Sequence, residues 1–389
     1  MVIRIRPYYQ SKPFMRLLAI TTTTDLPEAH LLAELSRSYG IAVTLLGTLK
    51  QSHQSILSAA GVTIVPLALS GRISRRAIIA IRNAARECEP DIIHSFSNRA
   101  LSNGLIATRG LRCRHVAYRG AIGNVSRWDP LSWMTYLHPR LDKVICVSHA
   151  VEDYLAGVGV PRNKLRTIYK GHRLSWYEGH HSDAPLASPT DAITIGCTAN
   201  MRPVKGVDIL LKAAKLIPST TPLHLVLIGE IRDKQLPPLI SSVNEVHRVT
   251  VVGYQENPIP FIQPCHIFVM PSRDREGLPK AVIEAMSQGV APIVTRVGGM
   301  PELVVDGECG LVIKPNSPEQ LAAAIISLAT DRERATLLGA RARTRLAEHF
   351  TLDATVAETR AVYEELLTAR PLRPPGPHFL PPHGHSASL

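Results

Sequence analysis

Two glutamates of the C-terminal half, Glu276 and Glu284, are spaced so that both could face one bound molecule. The apolar run 266–270 predicts a buried strand that ends shortly before Glu276, and a helix is predicted from about Leu278. Glu276 would lie at the carboxyl end of that strand, where open α/β sheets bind ligands, beside Gly277 and Leu278 amides that favour an anion. Paired carboxylates there suit hydrogen bonds to vicinal hydroxyls of a sugar or ribose. The alternative is that Glu276 caps the helix and Glu284 is surface charge.

Two cations, Arg202 and Lys205, follow the predicted strand 192–196 and precede the predicted helix 206–216. Cations held at a strand-to-helix turn, beside helix N-termini, would neutralise a diphosphate leaving group. The alternative is that both are exposed basic residues in a loop.

A glycine-punctuated segment lies further along the chain. We interpret Gly298 and Gly299 as a close backbone approach in the same crevice. Glu302 is expected to open the helix that follows.

Other cofactor and metal motifs are absent from the sequence. Thr21–Thr24 stands where a dinucleotide-binding GxGxxG would follow the first strand, and there is neither a P-loop nor an isolated DxD. The six cysteines are spread singly and form no CxxC pair. We therefore expect neither a metal nor a cofactor, and the pattern argues against a dehydrogenase or an ordinary ATPase or kinase.

Continuous apolar runs that alternate with helical patterns predict parallel sheets covered on both faces. Asp25 is the predicted N-cap and Gly40 the terminating glycine of a helix over 26–39. Ser148 is the predicted cap of another helix. The predicted strands are 16–20, 41–46, 62–65, 91–94, 114–118 and 143–147, then 192–196, 223–228, 249–252, 266–270 and 291–294. The fold class is α/β, with two Rossmann-like doubly wound domains in tandem.

The predicted domain boundaries follow the composition along the chain. We expect an N-terminal extension over 1–14, an N-terminal domain over 15–175, a polar linker over 176–190 and a C-terminal domain over 191–350. The helix 351–369 is expected to pack back on the N-terminal domain. The Pro- and His-rich tail 370–389 is predicted to be disordered.

Length, composition and charge narrow the classes of protein. With 389 residues and 45% apolar side chains, the chain suits two globular domains, and its apolar runs are too short to span a membrane. We expect a cytoplasmic protein, with peripheral contact to the inner face of the cell membrane as an option.

The positive charge is concentrated in the first half of the chain. The net charge of +12 arises within residues 1–190, which contain 24 Lys and Arg and 12 Asp and Glu. This excess is either a solvated surface or a face for an anionic partner such as a membrane or a phosphorylated glycolipid. Nucleic acid is not expected, since no stacking aromatic pattern accompanies the charge.

Four segments together resemble the donor half of the retaining GT-B glycosyltransferases of family 4, over about residues 190–368. The segments are ANMRPVKGVDILLKAA, the VVGY turn, VMPSRDREGLPKAVIEAMSQGVAPIV and GGMPELVVDGECGLVIKPNSPEQLAAAI. The N-terminal half is similar in architecture and in the PDIIH and VSHAVEDYL segments. The resemblance implies two domains that face a deep cleft.

The resemblance also implies roles for these residues toward a UDP- or GDP-type sugar donor. Glu284 would bind the ribose. Glu276, the candidate catalytic residue, would hold the donor sugar together with the Gly277 and Leu278 amides. Arg202 and Lys205 would neutralise the diphosphate without a metal, and the turn at Tyr254 would border the base. The acceptor would be a glycan or a lipid-linked, lipopolysaccharide-type molecule, and the product would keep the donor's anomeric configuration.

The sequence departs from the family pattern at several positions. Asn200 stands where an arginine is common, so Arg202 would take that role, and Thr21–Thr24 replaces a glycine-rich turn. Arg119 is a candidate contact to donor or acceptor. His94 is a candidate acceptor or cleft residue, and a place in the core or at the rim is favoured over a catalytic role.

Two other functions stay open from the sequence. One is a catalytically inactive partner subunit that binds a sugar nucleotide. The other is an enzyme of the same architecture with different chemistry, such as an epimerase or a phosphorylase.

Overall fold

In a computed structural model, which describes residues 15–179 and 191–369, the chain folds into two α/β domains. The strands of the first domain are β1 (Arg16–Thr23), β2 (Ala42–Thr48), β3 (Thr63–Pro66), β4 (Ile92–Ser95), β5 (Arg114–Arg119), β6 (Lys143–Cys146) and β7 (Leu165–Thr167). Its helices are α1 (Leu26–Tyr39), α2 (Gln51–Ala59), α3 (Arg75–Cys88), α4 (Asn98–Ala107), α5 (Pro130–Trp133) and α6 (His149–Gly157). The strands pair in parallel in the order β3-β2-β1-β4-β5-β6-β7.

The second domain repeats this architecture. Its strands are β8 (Ile193–Thr198), β9 (Leu223–Ile228), β10 (Arg248–Gly253), β11 (Ile267–Met270), β12 (Ala291–Thr295) and β13 (Leu311–Ile313). Its helices are α7 (Val207–Lys215), α8 (Leu236–Asn244), α9 (Ile259–Ile262), α10 (Lys280–Ser287), α11 (Met300–Leu303), α12 (Pro318–Thr330) and α13 (Arg332–His349). The parallel order is β10-β9-β8-β11-β12-β13, so the prediction of two doubly wound sheets is confirmed.

Local capping chemistry sets the ends of the helices. Asp25 accepts a hydrogen bond from the backbone N–H of Glu28 at 3.0 Å, and Gly40 ends α1 in the left-handed region with φ 63°. Ser148 accepts from the backbone N–H of Val151 at 3.3 Å and begins α6. These contacts satisfy groups that a helix end leaves unpaired.

The buried strands agree with the apolar runs that predicted them, with ends that differ by up to three residues. Every residue of β9 and of β11 is buried, as expected for strands covered by helices on both faces. The sequence analysis did not predict β7 and β13. Each has three residues, which is too short for a hydrophobic period to appear.

The segment that leaves the first domain is more ordered than the predicted polar linker. A 3₁₀ turn spans Leu174–Tyr177, and the Tyr177 backbone oxygen accepts a bond from Gln288 at 2.9 Å. Tyr177 is buried, and Trp176 packs against the cores of both domains. The first residues of the predicted linker are therefore packed against protein, because these aromatic side chains have apolar surface to bury.

The last helix, α14 (Leu352–Thr368), returns to the first domain. Val356 and Tyr363 lie in the same hydrophobic core as Leu17 of β1 and Leu32 of α1. The chain therefore crosses between the domains twice, once in each direction.

Some of the predictions concern segments outside the described residues. These are the extension 1–14, most of the linker over 180–190 and the tail 370–389. Among the helices of the described ranges, none combines the length and the apolar character needed to cross a membrane.

Candidate functional site

The predicted site lies where the strand order of the second sheet reverses, between β8 and β11. From β8 the chain proceeds to β9 and β10 on one side, whereas β11, β12 and β13 lie on the other. Loops that leave the carboxyl ends of two such neighbouring strands diverge and form a crevice, which is where open α/β sheets bind ligands. Arg202 and Lys205 follow β8, and Glu276 follows β11, so the topology places all three at this crevice.

Glu276 is buried in the loop between β11 and α10. It is 5% exposed, and its Oε1 accepts hydrogen bonds from Lys205 Nζ and Ser272 Oγ, both at 2.6 Å. Helix α10 begins only at Lys280, so Glu276 does not cap it. The bond to Lys205 holds the Glu276 carboxylate in place, so that it can accept hydrogen bonds from hydroxyl groups. The same bond holds Lys205 next to Glu276.

Glu284 lies on α10 and is also buried, at 3% exposure. It forms an ion pair with Lys280, one turn earlier on the same helix. Burial raises the pKa of Glu284, and Lys280 partly opposes that effect. The alternative that Glu284 is ordinary surface charge is therefore excluded by its position.

The loop after β8 packs tightly against the end of β11. Gly206 has φ 67°, and a side chain there would come within 2.1 Å of the backbone oxygen of Pro271. This close approach brings Lys205 to Glu276. Arg202 is exposed, and its Nε donates to Asn200 Oδ1 at 3.3 Å, so its guanidinium group faces solvent at the rim.

Glycines bring two further segments against the loop that carries Glu276. A Cβ on Gly298, which has φ 55°, would lie 1.9 Å from the backbone oxygen of Glu276. A Cβ on Gly299 would lie 2.2 Å from the oxygen of Gly277, and one on Gly277 would lie 2.1 Å from the oxygen of Gly120. Gly120 belongs to the first domain, so the two domains touch directly beside Glu276.

A cavity of about 240 Å³ opens between the domains next to this contact. The first domain contributes charged, aromatic and small residues, and the second contributes the start of α10. The lining residues are Asp25, Pro27, Tyr118, Gly120, Lys170, His172, Leu278, Lys280 and Ile283. Leu278 therefore lies at the predicted site, but as a wall of this cavity.

A charged cluster in the first domain lines this cavity, and the sequence analysis did not identify it as a site. Lys170 forms an ion pair with Asp25 and lies 5.2 Å from the centre of the Tyr118 ring. Glu28 lines an adjoining, smaller cavity that shares Tyr118 and Lys170 with this one. It is 7% exposed, and burial, with a further contribution from Asp25, raises its pKa to about 8. Asp25 was predicted only as a helix cap. Lys170 gave no signal in the sequence, because the three-residue strand β7 before it is too short to predict.

His94 is a core residue of the first domain. It is 1% exposed, its Nδ1 bonds with the Tyr363 hydroxyl at 2.6 Å, and its ring stacks on Phe96 with centroids 4.0 Å apart. Burial lowers its pKa to about 3. His94 therefore contacts two interior side chains, and one of them, Tyr363, lies on α14.

Arg119 is likewise buried, at 6% exposure. Its Nη1 donates to Asn98 Oδ1 at 3.3 Å, its Nη2 donates to the Gly123 backbone oxygen, and it lies 4.9 Å from the centre of the Tyr136 ring. These bonds hold the loop after β5, so Arg119 shapes that loop.

Tyr254 follows β10 and is 75% exposed, after Gly253 with φ 77°. A few residues on, Glu256 forms an ion pair with Lys50 of the first domain at 2.7 Å. The turn at Tyr254 thus lies at the outer rim, where the domains also meet. Within the described ranges, no group of three or more His, Cys, Asp or Glu side chains could hold a metal ion.

Family comparisons match both halves of the chain. The model described as Glycosyltransferase Family 4 matches residues 29–176, and the one described as Glycosyl transferases group 1 matches residues 181–345. An uncharacterised glycosyltransferase of Methanocaldococcus jannaschii is 29% identical over 59% of this chain and 62% of its own length. The lipopolysaccharide core biosynthesis glycosyltransferase LpsE of Rhizobium meliloti is 26% identical over 75% of this chain and 80% of its own length. The chain thus spans less than two thirds of the archaeal relative.

Solved structures share the fold at low sequence identity. The Anabaena protein Alr3699/HepE, crystallised with UDP, has a TM-score of 0.74 and 18% identity, over 90% of this chain and all of that one. The sucrose-phosphate synthase of Thermosynechococcus elongatus has a TM-score of 0.72 and 20% identity, over 91% of this chain and all of that one. These matches agree with the two-domain architecture described above.

Proposed function

This chain belongs to the glycosyltransferases of family 4 and group 1, and from that membership we propose that it transfers a sugar from a nucleotide diphosphate to a hydroxyl acceptor. The proposed reaction retains the anomeric configuration and needs no metal. The proposed donor is of the UDP or GDP type, and the proposed acceptor is a glycan or a lipid-linked, lipopolysaccharide-type molecule.

The observation that carries this proposal is the ion pair of the buried Glu276 and the partly buried Lys205 at the switch point of the second sheet, together with the buried Glu284 on α10. Glu276 would accept hydrogen bonds from the donor sugar's hydroxyls. Glu284 would do the same for the ribose. Lys205 and Arg202 would neutralise the charge that grows on the departing diphosphate.

The proposed step exchanges one bond for another on the same face of the sugar. The bond from the anomeric carbon to the diphosphate oxygen breaks, and the acceptor oxygen bonds to that carbon. The acceptor hydroxyl proton passes to the departing phosphate. No protein nucleophile is part of this proposal, and Glu276 acts by holding the sugar in position.

The names of relatives support the acceptor class. LpsE of Rhizobium meliloti is named for lipopolysaccharide core biosynthesis, and so is the mannosyltransferase LpsB of the same organism, which is 25% identical over 60% of this chain. Both names concern a sugar acceptor built on a lipid.

The test combines a donor screen with one matched pair of variants. UDP- and GDP-sugars are first screened for thermal stabilisation of the full chain, because a ligand that binds the folded state raises the unfolding temperature. Transfer from the stabilising donor is then measured for the wild type, for Glu276→Gln and for Asp274→Asn. Asp274 lies in the same loop with an exposed side chain, so its variant controls for loop charge.

We expect Glu276→Gln to lose transfer by about a hundredfold or more, since binding groups that act in the transition state contribute several kcal/mol. Asp274→Asn should keep near-normal activity. Undiminished transfer by Glu276→Gln would overturn the assigned role. Donor binding without any transfer or hydrolysis by the wild type would favour the inactive binding subunit.

We also propose that the first domain docks on an anionic membrane surface. Helix α3 and the turn before it expose four arginines and two isoleucines, and the stretch 72–86 contains no acidic residue. Ile73 and Ile79 are 58% and 52% exposed. A basic surface with apolar side chains suits the headgroup region of anionic lipids. The exposed residues are Arg72, Ile73, Arg75, Arg76, Ile79 and Arg86.

A further inference from the structure

One carboxylate reaches from the second domain into the first. Glu302, on the short helix α11, accepts hydrogen bonds from the backbone N–H groups of His149 and Ala150, each at 2.9 Å. These two residues form the first turn of α6 in the other domain. A carboxylate is well placed there, because the first amides of a helix lack partners and carry partial positive charge.

Two further contacts fix this arrangement. The Tyr169 hydroxyl donates to Glu302 Oε2 at 3.0 Å, from the strand exit that leads out of the first domain. Arg345 of α13 holds the backbone of α11 by donating to the oxygens of Glu302 at 2.8 Å and Leu303 at 2.9 Å. The backbone of α11 therefore has its own support, and the Glu302 side chain is left to hold the first domain.

The segment that leads into α11 also touches the loop that carries Glu276. Gly298 and Gly299, which lead into α11, lie against the backbone of Glu276 and Gly277. A Cβ on Gly299 would also lie 2.8 Å from Cβ of Ser148, the residue that caps α6. The start of α6, the glycine turn and the Glu276 loop are thus stacked in direct contact across the domain interface.

We propose that Glu302 is a positioning residue that sets the closed arrangement of the two domains. By holding the first turn of α6, it seats the first domain against the glycine turn and so keeps Gly120 against the Glu276 loop. In this role Glu302 acts through its contacts with His149, Ala150 and Tyr169, and no contact with donor or acceptor is required. This inference rests on the proposed transferase function, because closure matters for catalysis only if the cleft assembles two substrates.

The test compares Glu302→Ala and Glu302→Gln with Glu308→Ala, a matched control at an exposed glutamate of the same domain. Glu302→Ala should lower kcat about tenfold or more, since bonds between a carboxylate and amides are strong. Glu302→Gln should lose less, because its amide oxygen can still accept one N–H. The dissociation constant of the donor should stay within about twofold, since the donor is proposed to bind the second domain.

A second measurement does not depend on activity. Hydrogen exchange of the peptide that contains the 149 and 150 amides should be faster in Glu302→Ala than in the wild type and in Glu308→Ala, because these amides lose their acceptor. Tyr169→Phe, which removes one contact and keeps the ring, should show a smaller change in the same direction.

The outcomes separate the two proposals. Unchanged kcat and unchanged exchange in Glu302→Ala, with an active wild type, would overturn the role of Glu302. If kcat and the donor dissociation constant change together in Glu302→Ala, Glu302 takes part in donor binding, and its positioning role is contradicted. Faster exchange with no transfer by any form would contradict the transferase function and leave the interdomain contact standing.

Discussion

Glu276 and Glu284 are both buried carboxylates of one domain, yet the protein compensates them differently. Glu276 takes its cation from another loop, through Lys205, and a second bond from Ser272. Glu284 takes its cation from its own helix, through the partly exposed Lys280. Glu276 is therefore held rigidly, whereas Glu284 keeps a raised pKa and a flexible partner.

Glu28 gives a pH-dependent prediction at the residue scale. Its pKa is raised by burial and by Asp25 from an ordinary 4.5 to about 8, and no described residue bonds to its Oε1. The folded state therefore binds the proton more tightly than the unfolded state. The stability that Glu28 contributes is fully present below pH 4.5 and is lost as the pH rises through 8.

Glu28→Gln should remove this dependence, because a glutamine stays neutral. Between pH 4.5 and 8, the unfolding free energy of the wild type should fall relative to that of the variant by at most about 1.4 kcal/mol per pH unit. Urea unfolding at several pH values measures it, with the exposed Glu87→Gln as control. If the unfolding free energies of the wild type and of Glu28→Gln vary with pH in parallel, the raised pKa of Glu28 is contradicted.

At the scale of elements, the loop between β11 and α10 shows why a helix start was misplaced. The predicted start near Leu278 becomes Lys280, since Pro279 has ψ 121° and lies outside the helix. The extra extended residues allow Gly277 to reach Gly120 of the other domain. The Gly277 and Leu278 amides therefore precede the helix, and Leu278 serves as a wall of the cavity.

The glycine turn before α11 gives the prediction at this scale. Gly298→Ala would place a Cβ 1.9 Å from the Glu276 backbone oxygen, at a φ of 55°. The loop that carries Glu276 must then shift, so we expect the donor to stabilise this variant less against thermal unfolding. We also expect a loss of unfolding free energy greater than the ~1 kcal/mol typical of an alanine at positive φ.

Gly307→Ala is a matched control for this variant. Gly307 has φ 73°, and nothing lies within 4 Å of a Cβ built there. It shares the backbone strain without the clash, so it should lose stability and keep donor binding. Equal donor binding by both variants would show that the turn does not hold the Glu276 loop.

At the scale of the whole molecule, the two domains divide charge as well as structure. Residues 1–190 carry 24 basic and 12 acidic side chains, whereas the remaining residues carry 20 of each. The half of the sequence that contains the proposed donor-binding domain is therefore neutral overall. The positive charge lies on the domain proposed to meet the acceptor.

Vesicle binding tests this division of charge. The full chain should bind vesicles with anionic phosphatidylglycerol and should release them as salt is raised. Arg75→Glu with Arg76→Glu should weaken binding about tenfold or more, since each basic residue near such a surface contributes about 1 kcal/mol. Arg334→Glu with Arg341→Glu, on exposed positions of α13, is the control. Equal losses in both double variants would mean that only net charge acts.

Features that depend on local chemistry could be predicted from the amino-acid sequence. Apolar runs predicted the longer strands, and Asp25, Gly40 and Ser148 predicted the ends of helices, because caps and turns act within a few residues. The spacing of Glu276 and Glu284, with the basic loop before them, located the candidate site at the carboxyl ends of β8 and β11.

Which of these groups meet depends on the packing of segments that are far apart in the chain. Lys205 and Glu276 are 71 positions apart, His94 and Tyr363 are 269 apart, and Glu302 is 153 positions from His149. Such pairings depend on how loops, α14 and the two domains pack, and no local pattern encodes them. This is why Arg119 and His94, plausible cleft residues by sequence, lie in the interior, while Lys170 and Glu302 hold positions that the sequence did not reveal.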